Sequence, residues 1–341
     1  MRIELFDADI VDEKSKRGAH QALADMERDW IPDEHPSPYE DNLASWLAIE
    51  GSHRRDQRWV ALEDDEVLGL THVSTRSHHA DSGRIRVTVR REYRLQGVGR
   101  QLMLTAVGEL ESEGRSKLIV DIPIGSPPEI LAERMGLKRV YSERISQVSV
   151  SKIDWGVMDS WIASSSDRAS GYRLVSMRPP LPEEHIERWC RISNAMNTAP
   201  AEGFDLEDRD RTPEQWRSIE TYLASRGSDL HALAAVHEQT GDFAGMTILH
   251  YLRHNPTLAY QGDTVVDPAH RYRGLGRLLK AAMAKEFLAE HPDVERITTE
   301  NAGSNEPMLA INEEMGFRTI LELSAWQGDI ATAREAMTPR E

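Results

Sequence analysis

Residues 270 to 280 read HRYRGLGRLLK, and residues 93 to 104 read YRLQGVGRQLML. Each places Arg-x-x-Gly-x-Gly where the apolar pattern predicts that a helix begins. Leu275, Leu278, Leu279, Ala282 and Met283 follow the second copy, and Val98, Leu102, Ala106 and Leu110 run through the first. Both sets give one apolar stripe at helical spacing. The first turn of a helix has backbone N–H groups without partners and the positive end of the helix dipole, and both attract anions. Glycine lets the backbone approach a phosphate closely, and arginine adds forked cationic donors. The device suits a pyrophosphate. A Walker A loop would need Gly-Lys-Ser/Thr, which neither copy has. A dinucleotide fingerprint would need a small residue where Leu102 and Leu279 stand.

Such turns need a frame. The first half predicts a strand at 2–6, helices near 8–29 and 39–50, and strands near 57–63, 66–75 and 83–90. A helix near 97–113, a strand near 116–122, a helix near 127–135 and strands within 137–151 complete it. The second half repeats the order: strand 172–177, helices near 182–195 and 213–226, and strands near 230–237, 243–252 and 259–266. Helix 275–289, strand 294–300, helix 305–315 and strand 317–326 follow. This period is far too long for a solenoid and fits a duplicated domain. The expected fold is α/β of the α+β type: two tandem domains, each a mixed, mostly antiparallel sheet flanked by helices. The expected ranges are 1–151 and 171–341. The Ser-rich stretch DWGVMDSWIASSSDRASG at 154–171 suggests a linker over 152–170.

Composition bounds the function. The 341 residues are 39% apolar and 29% charged, as in a soluble globular protein. No apolar run approaches a membrane span, and the N-terminus lacks a signal-peptide core. The single cysteine, Cys190, excludes an intramolecular disulfide and a cysteine-rich zinc site, so a reducing cytoplasm is expected. A net charge of −16 opposes nucleic-acid binding and favours a cationic partner. His78-His79 with Asp81, and His250 with His254, are the histidine groupings adjacent in sequence. The latter pair falls on a predicted strand, where an i, i+4 spacing does not converge, and no metal is expected.

RYRGLG (Arg271–Gly276) and RLQGVG (Arg94–Gly99) resemble the pyrophosphate-binding pattern of the GNAT superfamily of acetyl-CoA-dependent N-acyltransferases, in its tandem two-domain form. The stretch NAGSNEPMLAINEEMGF at 301–317 resembles the next motif of that superfamily, a helix begun by Asn and ended by Gly-Phe, here Asn305 and Gly316-Phe317. The resemblance implies acetyl-CoA as co-substrate. Backbone groups of Val265, Val266 and Asp267 would pair with the pantetheine arm. Arg271, Tyr272, Arg273, Gly274, Leu275, Gly276 and Arg277 would hold the pyrophosphate, with Asn301, Asn305 and Asn312 near the thioester end. The counterparts in the first copy are Val87, Thr88, Val89, Arg94, Leu95, Gln96, Gly97, Val98, Gly99 and Arg100. Many members of the superfamily carry a tyrosine four residues before the final glycine, as acid for the leaving thiolate. Asn312 stands there, and an amide is no acid at neutral pH.

The first half departs further: Gly125 replaces the motif's Asn, Ala132 the tyrosine and Leu137 the phenylalanine. It is expected to be non-catalytic. In the second half Tyr260, Asp263 and Glu300 are candidates to handle the amine proton, with Asn312 as a donor to sulfur. Strict alternation puts Tyr260 and Asp263 on opposite faces unless a bulge intervenes. Glu202, Asp205, Glu207 and Asp208 form an acidic stretch suited to a cationic acceptor. The expected reaction is acetyl transfer by direct attack in a ternary complex. The acceptor is a primary amine of a small molecule such as an amine antibiotic, polyamine or amino sugar. A protein N-terminus or lysine, or a non-catalytic acyl-CoA sensor, are the alternatives.

Overall fold

The computed structural model describes residues 1–49, 54–76, 79–198 and 210–338. The first repeat contains β1 (Arg2–Leu5), α1 (Glu13–Trp30), α2 (Tyr39–Trp46), β2 (Arg54–Glu63), β3 (Glu66–Arg76) and β4 (Ser82–Val89). It continues with α3 (Val98–Ser112), β5 (Lys117–Pro123), α4 (Pro128–Arg134) and β6 (Lys138–Ser149). After α5 (Trp155–Arg168), the second repeat supplies β7 (Tyr172–Met177), α6 (Glu183–Asn194), α7 (Pro213–Ser225), β8 (Ser228–His237), β9 (Phe243–Leu252) and β10 (Asn255–Val266). It ends with α8 (Leu275–Glu290), β11 (Arg296–Ala302), α9 (Glu306–Glu314), β12 (Arg318–Asp329) and α10 (Ile330–Met337).

The chain divides into two compact units. In one, the strand order is β1-β2-β3-β4-β5-β12; in the other it is β6-β11-β10-β9-β8-β7. β4 pairs parallel with β5, and β10 with β11, while the β1 to β4 and β7 to β10 ladders are antiparallel. The last strand of each repeat therefore serves the other repeat's sheet: β12 pairs antiparallel with β5, Leu323 opposite Pro123 through Asp329 opposite Lys117. The cuts fall at Glu143/Arg144 and Ile320/Leu321, unlike the expected ranges 1–151 and 171–341.

The stretch at 152–170, expected as a linker, is mostly the helix α5. Asp154 caps it by accepting from the Val157 N–H at 3.0 Å. Met158 is fully buried, with Trp161 and Ile162 packed beside it against α8. The serines suggested a linker, but they lie on a helix whose apolar face covers the core. α10 was likewise not expected; Asp329 caps it through Thr332 N–H at 2.9 Å.

Within the second unit the sheet has a core on each side. Leu275, Leu278, Leu279, Met283 and Phe287 of α8 pack on one face with Leu249, Ala259 and Ile297. Trp189 of α6 and Trp216 of α7, ring centroids 5.6 Å apart, pack on the other with Val265 and Ile248. Leu279 fits because Gly245 lies opposite: a Cβ there would sit 3.0 Å from the Leu279 side chain. The first unit repeats this with Gly69, whose Cβ would sit 3.1 Å from Leu102. A strand glycine that admits a helix leucine marks both repeats.

Candidate functional site

The site of the second unit starts at a bulge in β10. Gln261 pairs with Leu249 and Thr264 with Thr247, so β10 holds one extra residue between them. Gln261 fills the irregularity by donating to the Ile248 carbonyl at 2.6 Å and to Thr247 Oγ1 at 3.0 Å. The parallel pairing of β10 with β11 runs only from Leu258/Arg296 to Gln261/Thr299, whereas β10 itself continues to Val266. The two strands diverge, leaving the β11-facing edge at 262–266 outside that ladder. The first unit matches: β4 pairs with β5 only over Ser82 to Arg84 and then continues to Val89, past Val87 and Thr88.

The bulge also changes faces. Ala259 belongs to the α8-side core and Val265 to the α6/α7-side core. With one extra residue between, Tyr260 and Asp263 come to the same face, on the α6/α7 side. Alternation along β11 puts Glu300, opposite in sense to Ile297, on that face too, and it is exposed. Tyr260 stacks on His250, centroids 5.4 Å apart and planes 21° apart. Burial pushes the His250 imidazole down to about 4, with Arg226 adding to the shift, so it is neutral at neutral pH. His250 Nδ1 lies 3.2 Å from Ser228 Oγ. Asp263 lies 3.7 Å from Arg211, which sits over the Trp216 ring. Glu202, Asp205, Glu207 and Asp208 lie outside the described residues, as does His78.

The glycine turn closes the far end of β10. Asp267 accepts from Ala269 N–H at 2.8 Å and so fixes the single helical turn before Arg271. Tyr272 (φ 65°) and Gly274 (φ 78°) are left-handed, as are Leu95 (φ 61°) and Gly97 (φ 86°) in the first unit. Alternating hands turn successive N–H groups toward one side and make an anion-binding concavity. A tyrosine or leucine in this conformation costs on the order of 1 kcal/mol. Both are fully exposed, so no packing requires them there, and the turn itself sets the conformation. Leu275, Gly276 and Arg277 open α8, where helix geometry leaves the N–H groups free. A Cβ at Gly276 would meet Ile311 at 3.6 Å.

The two turns differ in charge. Arg271 donates from Nε to the Val266 carbonyl at 3.1 Å and from its terminal nitrogen to the Thr198 hydroxyl. Arg94 makes the same Nε bond, to the Val89 carbonyl at 3.0 Å, but its terminal nitrogen pairs with the Asp29 carboxylate at 2.7 Å. Asp29 also takes Arg91. Burial raises the Asp29 pKa, but the two arginines outweigh it and hold the group below the usual range. A carboxylate of the first unit thus occupies the free end of Arg94, where Arg271 of the second meets a hydroxyl. Gln96 is tied to the Glu92 carbonyl at 2.8 Å, Val98 is buried, and a Cβ at Gly99 would touch Val89 at 3.5 Å. Gln96 to Arg100 carry the turn into α3.

Beside the second turn is a pocket of about 300 Å³, lined by Trp161, Ser164 and Arg168 of α5 and by Arg273, Gly274 and Arg277. Arg277 is held by Glu314 at 2.6 Å and lies 5.4 Å from the Trp161 ring centre. Arg168 and Arg273 have no carboxylate partner among the described residues. Sequence reasoning missed Trp161 and Arg168 because they lie in the stretch read as linker; the D-x-x-V capping spacing at Asp154 was the available signal. Thr198 had none.

The α9 residues are placed unevenly. Asn305 caps the helix, accepting from Met308 N–H at 3.4 Å. Asn312 is 2% exposed and donates to Asn301 Oδ1 at 2.7 Å, while its own Oδ1 is buried without a hydrogen-bond partner. Its carboxamide thus faces Asn301 inside the unit.

Among the described residues no helix is long and apolar enough to cross a membrane. No curated protein sequence matches the chain. Solved structures do. A tandem GNAT protein from the clavulanic acid biosynthesis pathway superposes with a TM-score of 0.79 at 22% identity, over 100% of this chain and 99% of that one. A GCN5-related N-acetyltransferase from Sphaerobacter thermophilus gives 0.69 at 15% identity, over 96% and 95%. A putative acetyltransferase from Pyrococcus horikoshii gives 0.56 at 14%, over 96% and 89%. These likenesses establish the fold. The model of the acetyltransferase (GNAT) family matches residues 20–125 and 184–317, more than half of the sequence, so the chain belongs to that family, in tandem form, and is an acyltransferase.

Proposed function

We propose that the second unit is an acetyl-CoA-dependent N-acetyltransferase acting on a primary amine of a small, cationic molecule, and that the repeat within 1–151 is structural. The observation that carries this reading is the asymmetry of the two turns. The first has its arginine neutralised by Asp29. The second presents Arg271 bound to neutral groups and Arg273 without a carboxylate partner among the described residues. A diphosphate would meet a leading arginine already paired with a carboxylate at the first turn and one without a carboxylate at the second. Val265, Val266 and Asp267 would then offer backbone groups to the pantetheine arm at the diverging edge of β10.

In this reading the acceptor approaches from the α6/α7 face, to which Tyr260, Asp263 and Glu300 belong. The amine nitrogen attacks the thioester carbonyl carbon, a C–N bond forms and the C–S bond breaks. The amine loses a proton to one of the two carboxylates, directly or through water, and the thiolate takes one up from solvent. Holding both reactants together contributes several kcal/mol. The net charge of −16 and the acidic stretch at 202–208 support a cationic acceptor, whose capture weakens with salt.

A second reading has an observation of its own. Asn312, where the resemblance led one to expect an acidic phenol, is buried against Asn301; an acyl-CoA sensor would need no acid. Calorimetric titration with acetyl-CoA, followed by thiol release against a panel of amines, separates the two. One site per chain with amine-dependent release supports the enzyme. Binding without release from any small amine, protein N-terminus or lysine peptide supports the sensor, and no binding overturns both.

A further inference from the structure

The other end of α8 carries a separate cluster. His231 of β8, 1% exposed, faces His291, the residue after α8, with Nε2 atoms 2.9 Å apart. Glu290, the last residue of α8, brings Oε2 to 3.9 Å from His231 Nε2. The ligand atoms of all three lie within 4.8 Å of one another. Phe287, 4.6 Å from both imidazole rings, and Tyr251, 4.5 Å from His291, wall one side. Glu290 is exposed, so the other side opens to water.

We propose that His231, His291 and Glu290 bind a first-row divalent cation of borderline softness, with zinc the best fit. Two imidazole nitrogens at this spacing share one proton between two lone pairs. Zinc–nitrogen bonds of about 2.0–2.1 Å in a tetrahedral site put such nitrogens about 3.3 Å apart, so the rings need to part by only a few tenths of an ångström. The proton of the donor ring moves from Nε2 to Nδ1, and none is released. Two nitrogens and a carboxylate oxygen suit zinc, nickel or copper and not magnesium or calcium, which prefer oxygen alone. Water supplies the fourth ligand.

Two features set the strength. His231 Nδ1 is buried without a hydrogen-bond partner, and a ligating histidine lacking that second bond loses about 10–100-fold in affinity. Arg178 holds both oxygens of Glu290, at 2.9 and 3.0 Å, and also reaches Glu286 at 3.3 Å. Guanidinium and cation therefore compete for one carboxylate, and the site binds more weakly than a structural zinc site with a complete outer shell. A 16-residue helix spans about 24 Å, so the ion sits far from the glycine turn and ties β8 to the end of α8 without touching the acyl group.

The test uses the untagged full chain, stripped with chelator. Zinc is titrated calorimetrically and cobalt(II) by its visible absorption. The expected result is one zinc per chain, with cobalt bands of four- or five-coordinate intensity. His291→Gln and Glu290→Gln each weaken zinc by ~10-fold or more, while Arg178→Gln tightens it several-fold. Glu290 is exposed, so its variant keeps the fold and carries the test alone if the others do not. Absence of zinc binding up to the sub-millimolar range, or binding that neither Glu290→Gln nor Arg178→Gln alters, overturns the proposal. Acetyl-CoA binding is measured alongside, and its loss bears on the enzyme reading only.

Discussion

At the scale of single residues, the fate of one arginine separates two otherwise matched turns. Arg271 and Arg94 occupy the same place and make the same bond to a strand carbonyl. They differ in what meets the free end of the guanidinium, a hydroxyl or a carboxylate. Arg271→Ala is expected to weaken acetyl-CoA about tenfold or more by removing a charge-assisted contact, read by calorimetry. Arg94→Ala should leave that affinity within twofold. It should also change stability by less than about 1 kcal/mol, because an exposed ion pair contributes little. Equal effects of the two substitutions would mean that the Asp29 carboxylate does not distinguish the turns. Arg271 and Gly276 were legible from the sequence because spacing alone marks them. Asp29 and Thr198 were not, because each reaches its turn from a distant element and neither sits in a pattern.

At the scale of elements, α8 serves two demands that conflict at one position. Its apolar stripe was readable, and Leu275, Leu278, Leu279 and Met283 are buried as the period implied. The period did not foretell that Lys280 would be buried too. Lys280 is 1% exposed, with its ammonium 5.5 Å from the Phe317 ring centre. Burial pushes its pKa down to about 7. The unfolded chain then binds more protons than the folded one between about pH 7 and 10.5, so stability rises with pH across that window. Lys280→Met is expected to raise stability at pH 7 by a few kcal/mol, on the order set by a shift of this size, and to flatten that rise. Urea midpoints at pH 7 and pH 9.5 test it; an unchanged midpoint at both would place the amine in contact with water. The helix α5 gives the complementary lesson. Its capping aspartate and its Met158, Trp161 and Ile162 stripe are in the sequence, but four serines among 14 residues mask the period.

At the scale of the whole molecule, the duplication was legible and the exchange of strands was not. Repeats are visible in sequence because each element recurs in order. Which sheet the final strand joins depends on where the preceding chain leaves it, and β6 and β12, each 12 residues long, do not differ in length. The exchange has an energetic consequence. In the first unit β12 pairs with β5 over seven residues. Trp326, Ile330, Ala333 and Met337 complete the core formed by α3, α4 and β5. A fragment ending at residue 320 loses all of these. Burying side chains of this size contributes roughly 1.5–3 kcal/mol for each large one, comparable in sum to the whole stability of a domain. The fragment is therefore expected to leave the first unit unfolded or aggregating through the bare edge of β5, although nothing in residues 1–143 has changed. The same reasoning applies to a fragment of residues 171–341, which carries β12 but lacks β6, the strand that neighbours β11. Amide hydrogen exchange on β2 to β5 in the 1–320 fragment decides the matter. Loss of protection across those strands is the expected result, and native protection there would show that the first unit stands without the second repeat's last strand.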